Sequence, residues 1–212
     1  MRSEKITSGK SARTFVDQAR RTQLVECAID AIAELELPKA SLAEVAKRAG
    51  VTKTTIFYHF ENRDELIREV LASTLRQGAE FMAARTRSST NPAEELQGYL
   101  ESNVAYIGSH RKQVKVLTTI AMNFTDEDGK TRLTHDASVY GASLSPLQDI
   151  LERGQRAGQF RDFNTRTMAM TIRAAIDAIG PQVSVIPDLD LDGYAADLVD
   201  LFRHAIRKEP QP

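Results

Sequence analysis

Apolar residues in this chain recur with a period near 3.6, and that periodicity does most to fix the fold class. Leu24, Cys27, Ala28, Ala31, Ile32 and Leu35 stand at i, i+3, i+4, i+7, i+8 and i+11, one stripe along a helix predicted from about Thr14 to Glu36. The same period returns in almost every later segment. No stretch shows the sustained alternation of β-branched residues that a half-buried strand requires. The reading is an all-α protein of about nine helices. Hydrophobic residues make up 42% and charged residues 27% of the 212, enough to build a core and far from the composition of a disordered chain. No apolar run approaches the ~18–20 residues that span a bilayer. The polar start lacks a signal-peptide core. The lone cysteine, Cys27, excludes an internal disulfide framework and fits a reducing compartment. A cytoplasmic protein with no membrane partner is expected.

Charge is unevenly spread. The first 63 residues carry 11 Lys and Arg against 8 Asp and Glu, although the whole chain has a formal net charge of -1. A basic front on an acidic body suits a polyanionic partner. Residues 1–13 read as a flexible basic arm, and Arg13, Arg20 and Arg21, at the start of the first helix, are candidates for a minor-groove contact.

Local start and stop signals divide the rest. Ser41-Leu-Ala-Glu44 is a capping box. It opens a short helix with Leu42, Val45, Ala46 and Ala49 inward, cut at Gly50. Thr52 is the next N-cap, starting a second short helix from Lys53 to Phe60 with Ile56, Phe57 and Phe60 as inward candidates. Asn62 caps a long helix that runs to about Thr86. Asn91-Pro92 restarts the chain with a cap and a proline at the first helical position. Helices follow to about Ser109 and over 111–123. Residues 130–156 are helical in pattern, with a break or kink expected at Pro146. Further helices are expected over 164–179, ended by Gly180-Pro181, and over 190–207.

Two short capped helices joined at a glycine turn, residues 41–60, form a helix-turn-helix pattern. In such units the second helix enters the major groove while the first crosses the backbone. Lys53, Thr54, Thr55, Tyr58 and His59 give that second helix a polar or amphipathic surface. Lysine can donate to guanine acceptors, and threonine offers a hydroxyl and a methyl. Hydroxyl, phenol and imidazole groups can bond phosphate oxygens.

The segment Thr52-Lys-Thr-Thr-Ile-Phe-Tyr-His-Phe60, followed by Glu-Asn-Arg-Asp-Glu-Leu66, closely resembles the DNA-binding domain of the tetracycline-repressor (TetR/AcrR) family. The resemblance spans about Arg13–Leu66. The all-helical remainder fits the family in size, and Gly154-Gln-Arg-Ala-Gly-Gln-Phe160 is also similar to its members. By position, the resemblance implies that Lys53 and Thr54 read bases. It implies that Ser41, Thr55, Phe57, Tyr58, His59 and Arg63 hold phosphates. Thr52 joins this DNA-binding set as the cap of the helix. Three positions depart from the family pattern. Phe57 lacks the usual aromatic hydroxyl, and Tyr58 is placed to replace it. Thr54 stands where glycine or proline is frequent. Arg63 replaces a lysine, keeping the charge with a forked donor. Ala43, at a position sometimes used for base contact, offers only a methyl.

The resulting expectation is an arm (1–13), a helix-turn-helix domain (14–62) and a helical effector-binding and dimerisation domain (63–212). The resemblance implies a homodimer through the last two helices, 164–179 and 190–207. It also implies a repressor that leaves a palindromic double-stranded operator when a small molecule binds. Candidate effector liners are Tyr99, Asn103, Tyr106, Met122, Phe124, Tyr140 and Met168, of which the first three share one helix face. His110 and His135 read as surface histidines. No metal-ligand spacing, cofactor motif or catalytic constellation stands in the sequence. The rival readings are an all-α protein-interaction adaptor without DNA specificity and an α-helical enzyme with a helical-hairpin lid.

Overall fold

Capping residues set the observed boundaries. The computed structural model describes residues 4–87, 89, 91–124, 137–186 and 188–208, with side chains described outside 4–15, 137–143 and 184. Ten helices lie in these residues: α1 (Glu4–Leu35), α2 (Leu42–Ala49), α3 (Lys53–His59), α4 (Arg63–Thr86), α5 (Pro92–Ser109), α6 (Arg111–Asn123), α7 (Ala137–Arg156), α8 (Thr165–Asp177), α9 (Ile179–Val185) and α10 (Leu191–Ile206). Among the described residues there is no β-strand, only an isolated bridge between Phe160 and Arg207. No described helix is long and apolar enough to cross a membrane.

The chain divides into two units, Met1–Thr74 and Leu75–Pro212, and the division falls inside α4. In the first unit α2 packs on both α1 and α3. The core includes Leu24, Ala28, Ile32, Val45, Ile56, Phe60, Leu66 and Val70. Ser41 Oγ accepts the Glu44 N–H at 3.2 Å. The other half of the expected capping box is absent: Glu44 pairs with Arg48 at 2.9 Å, and the Ser41 N–H donates to the Lys39 carbonyl. Gly50 ends α2 in the left-handed region at φ 65°, a conformation that costs other residues about 1 kcal/mol or more. Its neighbour Val51 donates back to the Ala46 carbonyl at 3.0 Å, which closes the turn.

A four-residue cluster ties α1 to α4. Arg21 donates to Glu65 at 3.1 Å and Glu69 at 3.4 Å. The Glu61 N–H reaches the other Glu65 oxygen at 2.6 Å. That backbone bond, then Arg21, holds the Glu65 carboxyl below the usual carboxylate range. A carboxyl lowered on folding stabilises the fold above its unfolded pKa of about 4.3, and loses that contribution as pH falls through the folded value. Urea midpoints at pH 7 and pH 3.5 should therefore differ less for Glu65→Gln than for the wild type. Equal differences would remove Glu65 from the account of acid sensitivity.

The second unit is built around α5, which packs against α6, α7, α8, α9 and α10. Leu96, Leu100, Val104 and Ile107 of α5 meet Leu147, Leu151, Phe160, Ile172, Ile176, Leu198 and Phe202 in one core. Asn91 caps α5 by accepting from Ala93 and Glu94. Arg153 of α7 forks onto Glu95 of α5. Arg161 donates to the Ala205 carbonyl at 2.7 Å through its side chain and to the Ile206 carbonyl through its backbone. These bonds hold the C-terminus of α10 to the loop after α7.

Three boundaries differ from the sequence expectation. α1 starts at Glu4, inside the stretch expected to be an arm, because nothing from Glu4 to Leu35 breaks a helix except the tolerated Gly9. α7 runs unbroken through Pro146. The missing hydrogen bond and clash cost about 3 kcal/mol, but Leu144, Leu147, Ile150 and Leu151 are all buried, each worth roughly 1.5–3 kcal/mol. Gly180-Pro181 does not end the helical run. It lies in the first turn of α9, where a proline forfeits no helical hydrogen bond, and Ile179 and Val183 of α9 are buried.

Candidate functional site

The sequence of α3 leaves one face wholly uncovered. Thr52 caps the helix by accepting the Thr55 N–H at 3.2 Å, and its hydroxyl lies 3.0 Å from that of Thr55. Of the seven residues in α3, Ile56 is the buried one. Lys53 and Thr54 are exposed, Phe57 is 48% exposed and Tyr58 80%. Lys53 Nζ stands 5.8 Å from the centre of the Phe57 ring. Ser41, at the start of α2, is also exposed. A short helix that displays an ammonium, hydroxyls and two aromatic rings to solvent has the chemistry to enter a major groove.

His59 and Arg63 are placed differently from the phosphate role expected of them. The His59 side chain is 7% exposed, and its Nδ1 lies 3.1 Å from Asp17 of α1. Arg63 turns inward and donates to the backbone carbonyls of Ala40 and Leu37, the turn between α1 and α2. Both side chains therefore position the reading unit. Arg21, a minor-groove candidate in the sequence, does the same. Besides its carboxylates it donates to the His59 carbonyl, the last residue of α3, and its guanidinium sits 4.2 Å over the Phe60 ring. Arg20 stays at the surface, bonded to Gln23 at 2.7 Å. The side chain of Arg13 lies outside the described residues. Asp17 gave no local signal, since its partner is 42 residues away.

The effector candidates fall into separate groups. Tyr99 and Asn103 come together: Asn103 Nδ2 donates to the Tyr99 carbonyl at 2.8 Å. Arg173 of α8 donates to the Tyr99 hydroxyl at 3.4 Å and to Asn103 Oδ1 at 3.3 Å. It also pairs with Asp177. Tyr106 belongs to an aromatic cluster, stacked on His110 at 4.3 Å and edge-on to Phe81 at 5.3 Å. Burial pushes its phenol above the ordinary value. His110 is thus half-buried against rings, where the sequence suggested a surface histidine. Met168 packs at the edge of the core and Phe124 is buried, whereas Met122 is 68% exposed. The side chain of Tyr140, and all of His135, lie outside the described residues. A surface pocket of about 210 Å³, floored by Leu96, Leu100 and Phe160, contains none of the seven candidates. Arg173 was hidden in the sequence, where its i,i+4 spacing to Asp177 looks like an ordinary surface pair.

Residues 24–70 match the family described as bacterial regulatory proteins, tetR family. Residues 24–70 are a TetR-family DNA-binding domain. Over 202 residues it is 25% identical to the HTH-type transcriptional regulator TtgR of Pseudomonas putida, covering 91% of this chain and 94% of that protein. The HTH-type transcriptional repressor KstR2 of Mycobacterium tuberculosis is 26% identical over 147 residues, 68% of this regulator and 70% of its own length. In fold, the regulator is similar to a putative transcriptional regulator from Saccharomonospora viridis in complex with choline. The TM-score is 0.76 at 22% identity, covering 91% of this chain and 100% of that one. These findings make the protein an all-α transcriptional regulator that binds DNA through its helix-turn-helix.

Proposed function

We propose that this regulator is a homodimeric repressor, released from a palindromic operator when a small molecule binds its second unit. The observation that carries the reading is the uncovered face of α3, where Lys53, Thr54, Phe57 and Tyr58 all face solvent while Ile56 is buried on the opposite side. In this reading Lys53 and Thr54 address base edges, and Ser41, Thr52, Thr55 and Tyr58 offer hydroxyls to phosphates. His59 and Arg63 hold α3 in register from behind. The repressor designation of KstR2 supports the direction of control.

One helix-turn-helix reads one half-site, so specific binding needs two, about 34–36 Å apart. The face of α8 that carries Met170 and Ala174, with Ala178 at its C-cap and Leu201 of α10, is exposed in the single chain. Small residues on α8 allow close helix approach, and burying this face against a second copy supports the dimer. Tyr99 and Asn103 on α5, joined to Arg173 on α8, are the polar groups we assign to the effector, and Tyr106, Phe124 and Met168 are the apolar or aromatic groups we assign to it. An effector acts by favouring a dimer in which the two recognition helices no longer match successive major grooves. α4, which belongs to both units, is the element that carries the change.

The test is selection from random duplex DNA with the purified full chain at about 0.15 M salt. A palindromic consensus is expected. Lys53→Ala should cost about 1–3 kcal/mol at one base step and relax preference there, while Tyr58→Phe should weaken all sequences alike. Failure to enrich any sequence, with and without added metabolites, would overturn the reading.

A further inference from the structure

We propose that Phe57 reads the C5-methyl group of a thymine in each half-site, and is a specificity residue rather than a phosphate contact. The inference rests on α3 being the recognition helix and deepens that reading. Successive residues of a helix are rotated by about 100°. Placing Lys53 at zero sets Phe57 near 40°, Thr54 near 100° and Tyr58 near 140°, with the buried Ile56 near 300°. These four are the exposed members of α3. Phe57 and Thr54 therefore occupy the middle of the outward face. Lys53 and Tyr58 flank them, one on each side.

The position of Phe57 conflicts with a phosphate role, and so does its chemistry. A benzyl side chain donates no hydrogen bond, so it has nothing to offer a phosphate oxygen. Nearly half of its surface is open to water, although the helix has a buried side where an apolar ring could rest. An exposed ring at the centre of a groove-facing surface gains only where DNA offers it apolar area. On the major-groove edges of the four base pairs that area is the thymine methyl. Lys53, one turn earlier and 5.8 Å from the ring, then addresses the acceptors of a neighbouring base pair. Thr54 is the competitor, because it shares the middle of the face and carries a methyl of its own.

The experiment takes the selected operator and replaces each thymine in turn by deoxyuridine, symmetrically in both half-sites. Affinity is read by fluorescence anisotropy with the full chain at fixed salt. Losing one buried methyl corresponds to about a fourfold loss per half-site, and about fifteenfold for both. One thymine position should show this loss in the wild type. In Phe57→Ala the penalty at that position should fall below about twofold, and in Thr54→Ser it should remain. Circular dichroism on Phe57→Ala checks that the fold is kept.

The proposal is overturned if no uracil position matters in the wild type, or if the selected half-site contains no thymine. It also falls if the penalty survives in Phe57→Ala or vanishes in Thr54→Ser. The underlying reading fails differently. If Lys53→Ala and Phe57→Ala both leave consensus and affinity unchanged, α3 does not read the DNA at all. If Lys53→Ala changes the consensus while uracil is tolerated everywhere, the role of Phe57 alone is lost.

Discussion

Phe60→Ala is expected to cost about 3–5 kcal/mol in stability and to abolish DNA binding. Phe60 is 1% exposed and stands at the C-terminus of α3, where its N–H closes the helix onto the Ile56 carbonyl at 2.9 Å. Its ring carries the Arg21 guanidinium at 4.2 Å. Arg21 in turn holds the His59 carbonyl, Glu65 and Glu69. Truncation therefore removes more than buried area. It leaves a cavity and takes away the face on which a cation rests, an interaction of about 0.5–2 kcal/mol. Domains of ordinary size have only about 5–15 kcal/mol in total, so the reading helix would lose its seat under mild conditions. Urea denaturation followed by circular dichroism gives the number. Phe60→Leu, which keeps most of the volume, should cost markedly less. A loss below 1 kcal/mol for the alanine variant would show that Arg21 and α3 are held by other contacts.

Gly154→Ala should destabilise the second unit by about 1–3 kcal/mol through overpacking. A Cβ at Gly154 would lie 2.0 Å from two carbons of the Phe160 ring, far inside van der Waals contact. The ring has little freedom to retreat. Phe160 is 4% exposed, its N–H donates to the Gly154 carbonyl, and its backbone pairs with Arg207. The cost should fall when the ring is trimmed. In a double-mutant cycle, Gly154→Ala combined with Phe160→Leu should be less destabilised than the sum of the two single changes. Simple additivity would mean that the backbone of α7, and not the ring, absorbs the extra methyl.

The reading unit was legible in the sequence because its signals are local. Ser41, Thr52 and Asn62 each accept a backbone N–H three residues ahead, and Gly50 takes the one conformation that glycine tolerates best. What escaped depends on residues far apart in the chain. The partners of His59 and Arg63 lie in α1 and in the turn after it, so no spacing near residue 60 could reveal that these two side chains face inward. The same holds for Arg173, whose link to Tyr99 and Asn103 spans at least 70 residues. α7 and α9 escaped for a different reason. Proline is a strong local signal, and the burial of Leu144, Leu147, Ile179 and Val183 overrides it.

α3 fixes itself with one buried side chain, two cap hydrogen bonds and clamps from behind. Its four outward residues therefore answer to the partner and hardly at all to the fold. Such an arrangement separates two kinds of inheritance. On the function proposed above, substitutions at Lys53, Thr54, Phe57 and Tyr58 retarget the protein to a new address at little cost in folding, so a lineage, or an engineer, can exchange the reading head while keeping the rest of the fold.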